Sequence, residues 1–192
     1  QGAALRLLDR EAFHAIGSFK LPNLDPGSVI RALDIQFGVS MNAALDGAVG
    51  RGWSVNFGRI PEDNGTGEGG FAPLPGGVTI AFDAGDGADH PSGIQVLVGG
   101  VSLARYSRTF QWGTTFRQVI IHWDEAGLDV TFDGRAVCTD LKTPGLVPRE
   151  GDRFAFTARS TAARMDVFLD NVRVATQALP VIDTGGPVIR SE

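Results

Sequence analysis

Most of the features that announce a chemistry are missing from this sequence. It holds one cysteine, Cys138, in 192 residues, so it cannot form an internal disulfide, and paired-cysteine zinc or redox motifs are excluded. In the strand-like stretch RAVCTD that cysteine reads as a small buried hydrophobe. Basic excess is missing too: 17 Lys and Arg against 22 Asp and Glu leave a net charge of −5. Because phosphate binding needs a basic surface, nucleic acid is not an expected partner. No apolar run approaches the about 18 residues of a membrane-spanning helix, so membrane insertion is not expected. No basic stretch, apolar core and cleavage site open the chain, and Gln1 is compatible with a signal already removed. Helical periodicity is weak throughout. ALRLLDREAF is its best example, and it reads equally well as a strand and a turn.

What is present is glycine and alternation. The 26 glycines are about twice the average share, and with 10 prolines they separate many short apolar runs. Leu33, Ile35, Phe37, Val39 and Met41 all fall on odd positions, the period of a strand with one buried face. The pattern recurs at Trp53, Val55, Phe57, at Val78, Ile80, Phe82, and at Ile94, Val96, Val98. It continues at Val119, Ile121, Trp123, at Leu128, Val130, Phe132, at Phe154, Phe156, and at Val167, Leu169, Val172, Val174. WDEAGLDVTFDGRAV predicts two hairpins, turning near 125–127 and at Asp133-Gly134. Short strands with turn signals and no alternating helices predict an all-β, two-sheet antiparallel sandwich or barrel. The expected division is one domain over 1–176 and a tail or linker over 177–192, where the alternation fades.

The order of these runs resembles a known family. GWSVNFG, a Gly-rich loop, GGVTIAFDAGD and GIQVLVGG look like the centre of the L-type lectins, of the concanavalin A-like lectin/glucanase superfamily. FRQVIIHWDEAGLDVTFDGRAV, GDRFAFTARS and DVFLDNVRVAT look like the closing strands of LamG-like modules. The resemblance spans roughly residues 17–176. It implies a concanavalin A-like jelly roll that is secreted or on the cell surface, with a carbohydrate or glycoconjugate as partner.

The resemblance also frames the acidic stretch DAGDGADH. In metal-binding L-type lectins the strand entering this loop supplies a Glu and an Asp two residues apart. Asp83 matches the Asp, whereas Ala81 stands at the Glu. Gly87 and Pro91 occupy the positions of the next Asn and Asp, so the two-metal site is not intact. Calcium takes six to eight oxygen ligands, and Asp83, Asp86 and Asp89 are a candidate calcium site on a glycine-bent loop. The same residues also serve as turn formers that bond local backbone, and both readings stand. His90 suits only a transition metal and reads as a solvated loop residue. For a sugar, the family's acceptor Asp is matched by Arg51. The loop EDNGTGEGG offers Asn64, Glu68 and Gly69 as polar contacts. Tyr106 and Trp112, in ARYSRTFQWG, break the alternation and are expected in a loop where a sugar face could stack. Trp53 and Trp123 are in phase with the core.

Enzyme motifs fail. The glucanase relatives need two glutamates on one strand as nucleophile and acid, and TIAFDAGD has one Asp and neither Glu. The jelly-roll lyases need an Arg, a Gln-x-His strand and a Tyr. QVIIH spaces its Gln and His differently, and His122 is expected opposite Trp123. GTGEGG matches a dinucleotide fingerprint, but FAPLPGG follows it where a helix is needed. The expectation is therefore a non-catalytic lectin-like module, with calcium as an optional cofactor. The rival is a structural or adhesive module binding protein or its own copies. A divergent polysaccharide lyase or glycoside hydrolase comes last.

Overall fold

The computed structural model describes residues 4–9, 11, 14–43, 52–62, 74–84, 92–107, 113–160 and 165–181. Twelve strands lie among them: β1 Leu5–Leu8, β2 Ile16–Lys20, β3 Ser28–Ala43, β4 Gly52–Gly58, β5 Val78–Asp83 and β6 Gly93–Val98, then β7 Val101–Ser107, β8 Gly113–Trp123, β9 Leu128–Phe132, β10 Arg135–Leu141, β11 Arg153–Arg159 and β12 Met165–Pro180. They form two six-stranded antiparallel sheets. Sheet A runs β1-β12-β3-β8-β9-β10 and sheet B runs β2-β11-β4-β5-β6-β7. The described residues contain no helix, and the expected sandwich is the fold observed.

The period-two residues face each other between the sheets. Leu33, Ile35, Phe37, Val39 and Met41 of β3 are each at most 3% exposed, and Trp53, Val55 and Phe57 of β4 at most 2%. Trp53 stacks on Phe82 with ring centroids 3.8 Å apart, and the edge of Phe37 meets Trp53 at 5.6 Å and Phe156 at 5.2 Å. The Trp53 indole N–H, which needs a partner once buried, points at Met41 Sδ, 2.9 Å away. Trp123 also sits in the core and donates from Nε1 to Thr143 Oγ1 at 3.1 Å.

The two sheets differ on their outer faces. In sheet A the outward residues Asp34 and Gln36 of β3 and Gln118 and Ile120 of β8 are exposed, while Ala32 and Ser40 on the same face are buried. In sheet B every residue of β4 and β5, and the central five of β11, are buried. The centre of sheet B is thus covered on both sides.

Both predicted hairpins are present. Asp133 and Gly134 have φ of 51° and 73° between the paired Phe132 and Arg135, positive values at both central residues, as a two-residue type I′ hairpin loop requires. Of the two readings of ALRLLDREAF the strand is the one observed, at Leu5–Leu8, because Leu7 and Leu8 are both buried once β1 pairs with β12. Two expectations need correction. The final strand runs on through Pro180, which pairs with Ser28, so 177–180 are part of sheet A. Tyr106 lies inside β7, paired with Ile94, and not in a loop.

Truncating Phe37, which joins two aromatic edges across the sandwich, is predicted to cost about 3–5 kcal/mol. The Phe37→Ala variant should show this as a lower urea midpoint at unchanged slope. Ile120→Ala, on the exposed face of the same sheet, should stay within about 0.5 kcal/mol of the parent.

Candidate functional site

One row of paired residues closes sheet B at one end: Ile16, Arg159, Gly52, Asp83, Gly93 and Ser107. The connections 9–15, 44–51, 84–92, 108–112 and 160–164 all depart from this end. Two of them are laced together, since Ala15 N–H donates to Ser160 Oγ at 3.0 Å and Ser160 N–H to Ala15 O at 2.9 Å. Asp86, Asp89 and His90 belong to the 84–92 connection, Trp112 to 108–112 and Arg51 to 44–51. All five lie outside the described residues, as do Asn64, Glu68 and Gly69.

Below that row, the outer face of sheet B is lined with short polar side chains. Ser54 and Thr157 hydroxyls lie 2.7 Å apart, Asn56 Nδ2 donates to Ser54 Oγ at 2.9 Å and to Ala155 O at 3.3 Å, and Thr79 Oγ1 donates to Asn56 Oδ1 at 2.9 Å. Ser54, Asn56 and Thr157 are fully buried, so the bonds they make to one another offset much of the cost of leaving water. The described ends of the 59–77 connection turn onto the same face: Ile60 and Leu74 pack on Ala155. Its root is pinned by Lys20, whose ammonium donates to Pro61 O at 2.9 Å and to Glu62 O. Arg153 adds bonds to Ile60 O at 3.0 Å and Glu62 Oε1 at 2.9 Å, and this guanidinium holds the Glu62 carboxyl below its ordinary pKa.

Asp83 ends β5 on this face, with its side chain 7% exposed. Arg105 Nη2, from β7, lies 3.3 Å from Asp83 Oδ2. Ala81 is the preceding residue on the same face and supplies no oxygen from its side chain. No group of three or more His, Cys, Asp or Glu among the described residues could hold a metal. A divalent ion on Asp83 would add two positive charges beside a guanidinium already in place. Asp86 and Asp89 lie outside the described residues, so Asp83 is the one member of the candidate calcium set among them.

Tyr106 is one residue on and points the other way. It packs against the core between the sheets and bonds Cys138 of β10, so its ring closes the β7–β10 side of the sandwich and is not placed to stack on a sugar. Burial raises both the Tyr106 phenol and the Cys138 thiol above their ordinary pKa values.

His122 faces away from Trp123, as expected, on the exposed face of sheet A. Its Nδ1 lies 2.7 Å from Asp34 Oδ1 and its Nε2 3.2 Å from Asp124 Oδ2. The two nitrogens address different carboxylates, so the three groups form a strap and not a chelate. Hydrogen bonding to Asp34, then to Asp124, raises the imidazole pKa, while His122 lowers that of Asp124. Tyr106, the one tyrosine in the sequence, lies in the other sheet, so no lyase-like His–Tyr pair is assembled.

Sequence reasoning missed the Ser54–Asn56–Thr79–Thr157 network and Arg105. A signal for the first was present: the outward positions of GWSVNFG, VTIA and FAFTA carry Ser, Asn, Thr and Ala and no charge, which is unusual for a face open to water.

The comparisons with known proteins bear on this geometry. No protein-family model matches the chain, and no curated protein matches its sequence. Among solved structures, the Emp47p carbohydrate recognition domain superposes with a TM-score of 0.69 at 15% identity, covering 92% of this chain and 84% of that one. The VIP36 exoplasmic/lumenal domain, in a Ca²⁺/Man3GlcNAc-bound form, gives 0.67 at 13% identity, covering 92% and 80%. Lectin II from Ulex europaeus gives 0.66 at 12%, covering 91% and 87%. The fold is the concanavalin A-like jelly roll of L-type lectin recognition domains.

Asn56→Ala is predicted to cost about 1–3 kcal/mol in chemical unfolding, because it removes the acceptor of the buried Thr79 hydroxyl and the amide donor to Ser54 Oγ. In proton NMR titrations, Asp34→Asn should lower the His122 midpoint. The sign of the linkage follows from the shifts. The raised His122 pKa stabilises the fold fully below the ordinary imidazole value, and that contribution fades as pH rises through the folded one. The lowered Asp124 pKa stabilises it above the ordinary carboxylate value, and that contribution fades as pH falls through the folded one.

Proposed function

We propose that the chain is a non-catalytic carbohydrate-binding module that works in the secretory pathway or outside the cell. One observation carries the reading: five connections converge on one end of sheet B, above a buried face of short polar side chains, in a fold shared with solved carbohydrate recognition domains. Loops held by a rigid sheet are where a sandwich carries recognition. The proposed contacts are Trp112 as the stacking platform, with Asn64, Glu68 and Gly69 supplying polar groups from the connection rooted at Ile60. The lumenal and lectin identities of the solved neighbours support the location. Catalysis is not part of the proposal, because the outward residues of β5 are Thr79, Ala81 and Asp83. Glycoside hydrolysis needs a second carboxylate about 5–10 Å from the first.

A second reading, a module that binds its own copies, is favoured by the apolar side chains on the outer face of β8. Phe116 is 40% exposed and Ile120 38%, on one face of one strand.

A glycan array, probed with the purified chain in calcium and in EDTA, tests the first reading. The expected result is a defined set of bound glycans in both arms, weakened about tenfold or more by Trp112→Ala, the scale of one lost aromatic contact. Silence in both arms on folded protein overturns it. Concentration-dependent sedimentation reduced by Ile120→Lys would then support the second.

A further inference from the structure

We propose that a cleft at the far end of sheet B, away from the five converging connections, binds the carboxylate of a small acidic ligand through Arg59 and Arg153. The cleft measures about 430 Å³ and is lined by Arg59, Ile60, Glu150, Gly151 and Arg153, all of them among the described residues. Gly58 of β4 pairs there with Arg153 of β11, whereas Gly52 pairs with Arg159 at the loop end. Six residues of strand put about 20 Å between the two ends.

Local structure builds both walls. Where β4 leaves the sheet, Ile60 N–H returns to Gly58 O at 2.8 Å. That turn buries Ile60 on Ala155 and leaves Arg59 exposed. Opposite it, residues 149–152 close a turn, with Asp152 N–H on Arg149 O at 3.2 Å and Arg149 N–H on Asp152 Oδ2 at 2.7 Å. Gly151 has a φ of 83° in that turn, a conformation that favours glycine. Val147 N–H, bonded to Gly76 O at 2.9 Å, holds the same connection against the approach to β5.

The donors are held but not used up. Arg153 Nη2 donates to Ile60 O at 3.0 Å and Glu62 Oε1 at 2.9 Å. These bonds fix the guanidinium plane, and its Nε and Nη1 have no acceptor among the described residues. Arg59 likewise makes no hydrogen bond to a described residue. Asp152 is buried nearby. Burial raises the pKa of its carboxyl, while the Arg149 N–H and then the Arg59 charge lower it. The bond that Asp152 accepts comes from Arg149, so Arg59 acts on it through space and keeps its own donors. Two guanidiniums thus face one carboxylate, Glu150, in the lining, on a chain whose net charge is −5. The planar guanidinium fork matches a carboxylate with two parallel bonds. Glu150 can accept from a ligand hydroxyl, and Ile60 offers apolar surface. The volume falls in the range of about 300–1,000 Å³ usual for small-molecule sites, which suits an acid the size of a monosaccharide.

The inference rests on this cleft alone and not on sugar recognition at the loop end. The experiment titrates the ¹⁵N-labelled full chain at constant ionic strength with sodium galacturonate, with sodium acetate and with neutral galactose. Saturable amide shifts at Arg59, Ile60, Gly151 and Arg153 are expected with galacturonate and not with galactose. Equal shifts with acetate identify a simple carboxylic acid as sufficient, and shifts with galacturonate alone identify an acidic sugar; both support the proposal. Arg59→Gln is expected to weaken binding about tenfold or more, the scale of one lost charged hydrogen bond. If that variant does not fold, Arg59→Lys, which keeps the charge and loses the fork, replaces it. No saturable shift with either carboxylate overturns the proposal, and so do equal shifts with galactose. A loss of stability in Arg59→Gln with unchanged galacturonate affinity would mean that Arg59 serves only Asp152, and would overturn it too. The readout is confined to 59–60 and 149–153, so a silent glycan array and a silent cleft are separate outcomes.

Discussion

The stacking of Trp53 on Phe82, with Phe37 set edge-on across the sandwich, is the contact on which the rest depends. It couples the sheets, and it sits one residue inside the row that bears Gly52 and Asp83. The same two strands that bury the largest aromatic pair therefore also carry the loop end. A pleated strand sends successive side chains to opposite faces, so a rigid inner aromatic layer holds Ser54, Ala81 and Asp83 at fixed positions on the outer one. Trp53 has no conformational freedom to spare, with its ring stacked on one side and its N–H directed at Met41 Sδ.

That coupling explains the asymmetry of the two sheets. Sheet A turns a wet back to solvent, where His122 bridges Asp34 and Asp124 and where charge is inexpensive. Sheet B is dry on both sides at its centre, and its outer layer solves the problem differently, with small hydroxyls and one amide that bond each other. Such a layer lets Ile60 and Leu74, at the described ends of the 59–77 connection, lie close against Ala155 of the sheet, because neither a long side chain nor a hydration shell keeps them away. Lys20 and Arg153 then pin that connection from the edge through carbonyl and carboxylate oxygens.

The acidic stretch after β5 shows how one residue can carry two meanings. As a sequence, Asp83 together with Asp86 and Asp89 looks like an oxygen cluster for calcium. In the fold, Arg105, twenty-two residues later in the chain, brings its guanidinium within 3.3 Å of the Asp83 carboxylate. Nothing local to either residue reveals the other, because the pairing depends on the β5-β6-β7 register and on the bare position at Gly93. Tyr106 carries the same lesson. Its place beside Arg105 and Ser107 seems to interrupt an apolar strand, yet an edge strand needs only one buried face, and Tyr106 is on it.

The sequence by itself determined the class of fold, the positions of the central strands β3 to β6, β8, β9 and β11, the two hairpins around β9 and the membership of the core. Those features follow from side-chain alternation and turn chemistry, which are local and are read without knowing which strand lies beside which. It also determined what this end of the molecule lacks, the second carboxylate at position 81. Only the tertiary structure decided that β12 continues to Pro180 against β3, that the outer face of sheet B is buried at its centre, and that Arg105 comes beside Asp83. Each of these is a pairing between segments far apart in the chain, and a pairing energy has no signature in either partner until the sheet brings them within reach.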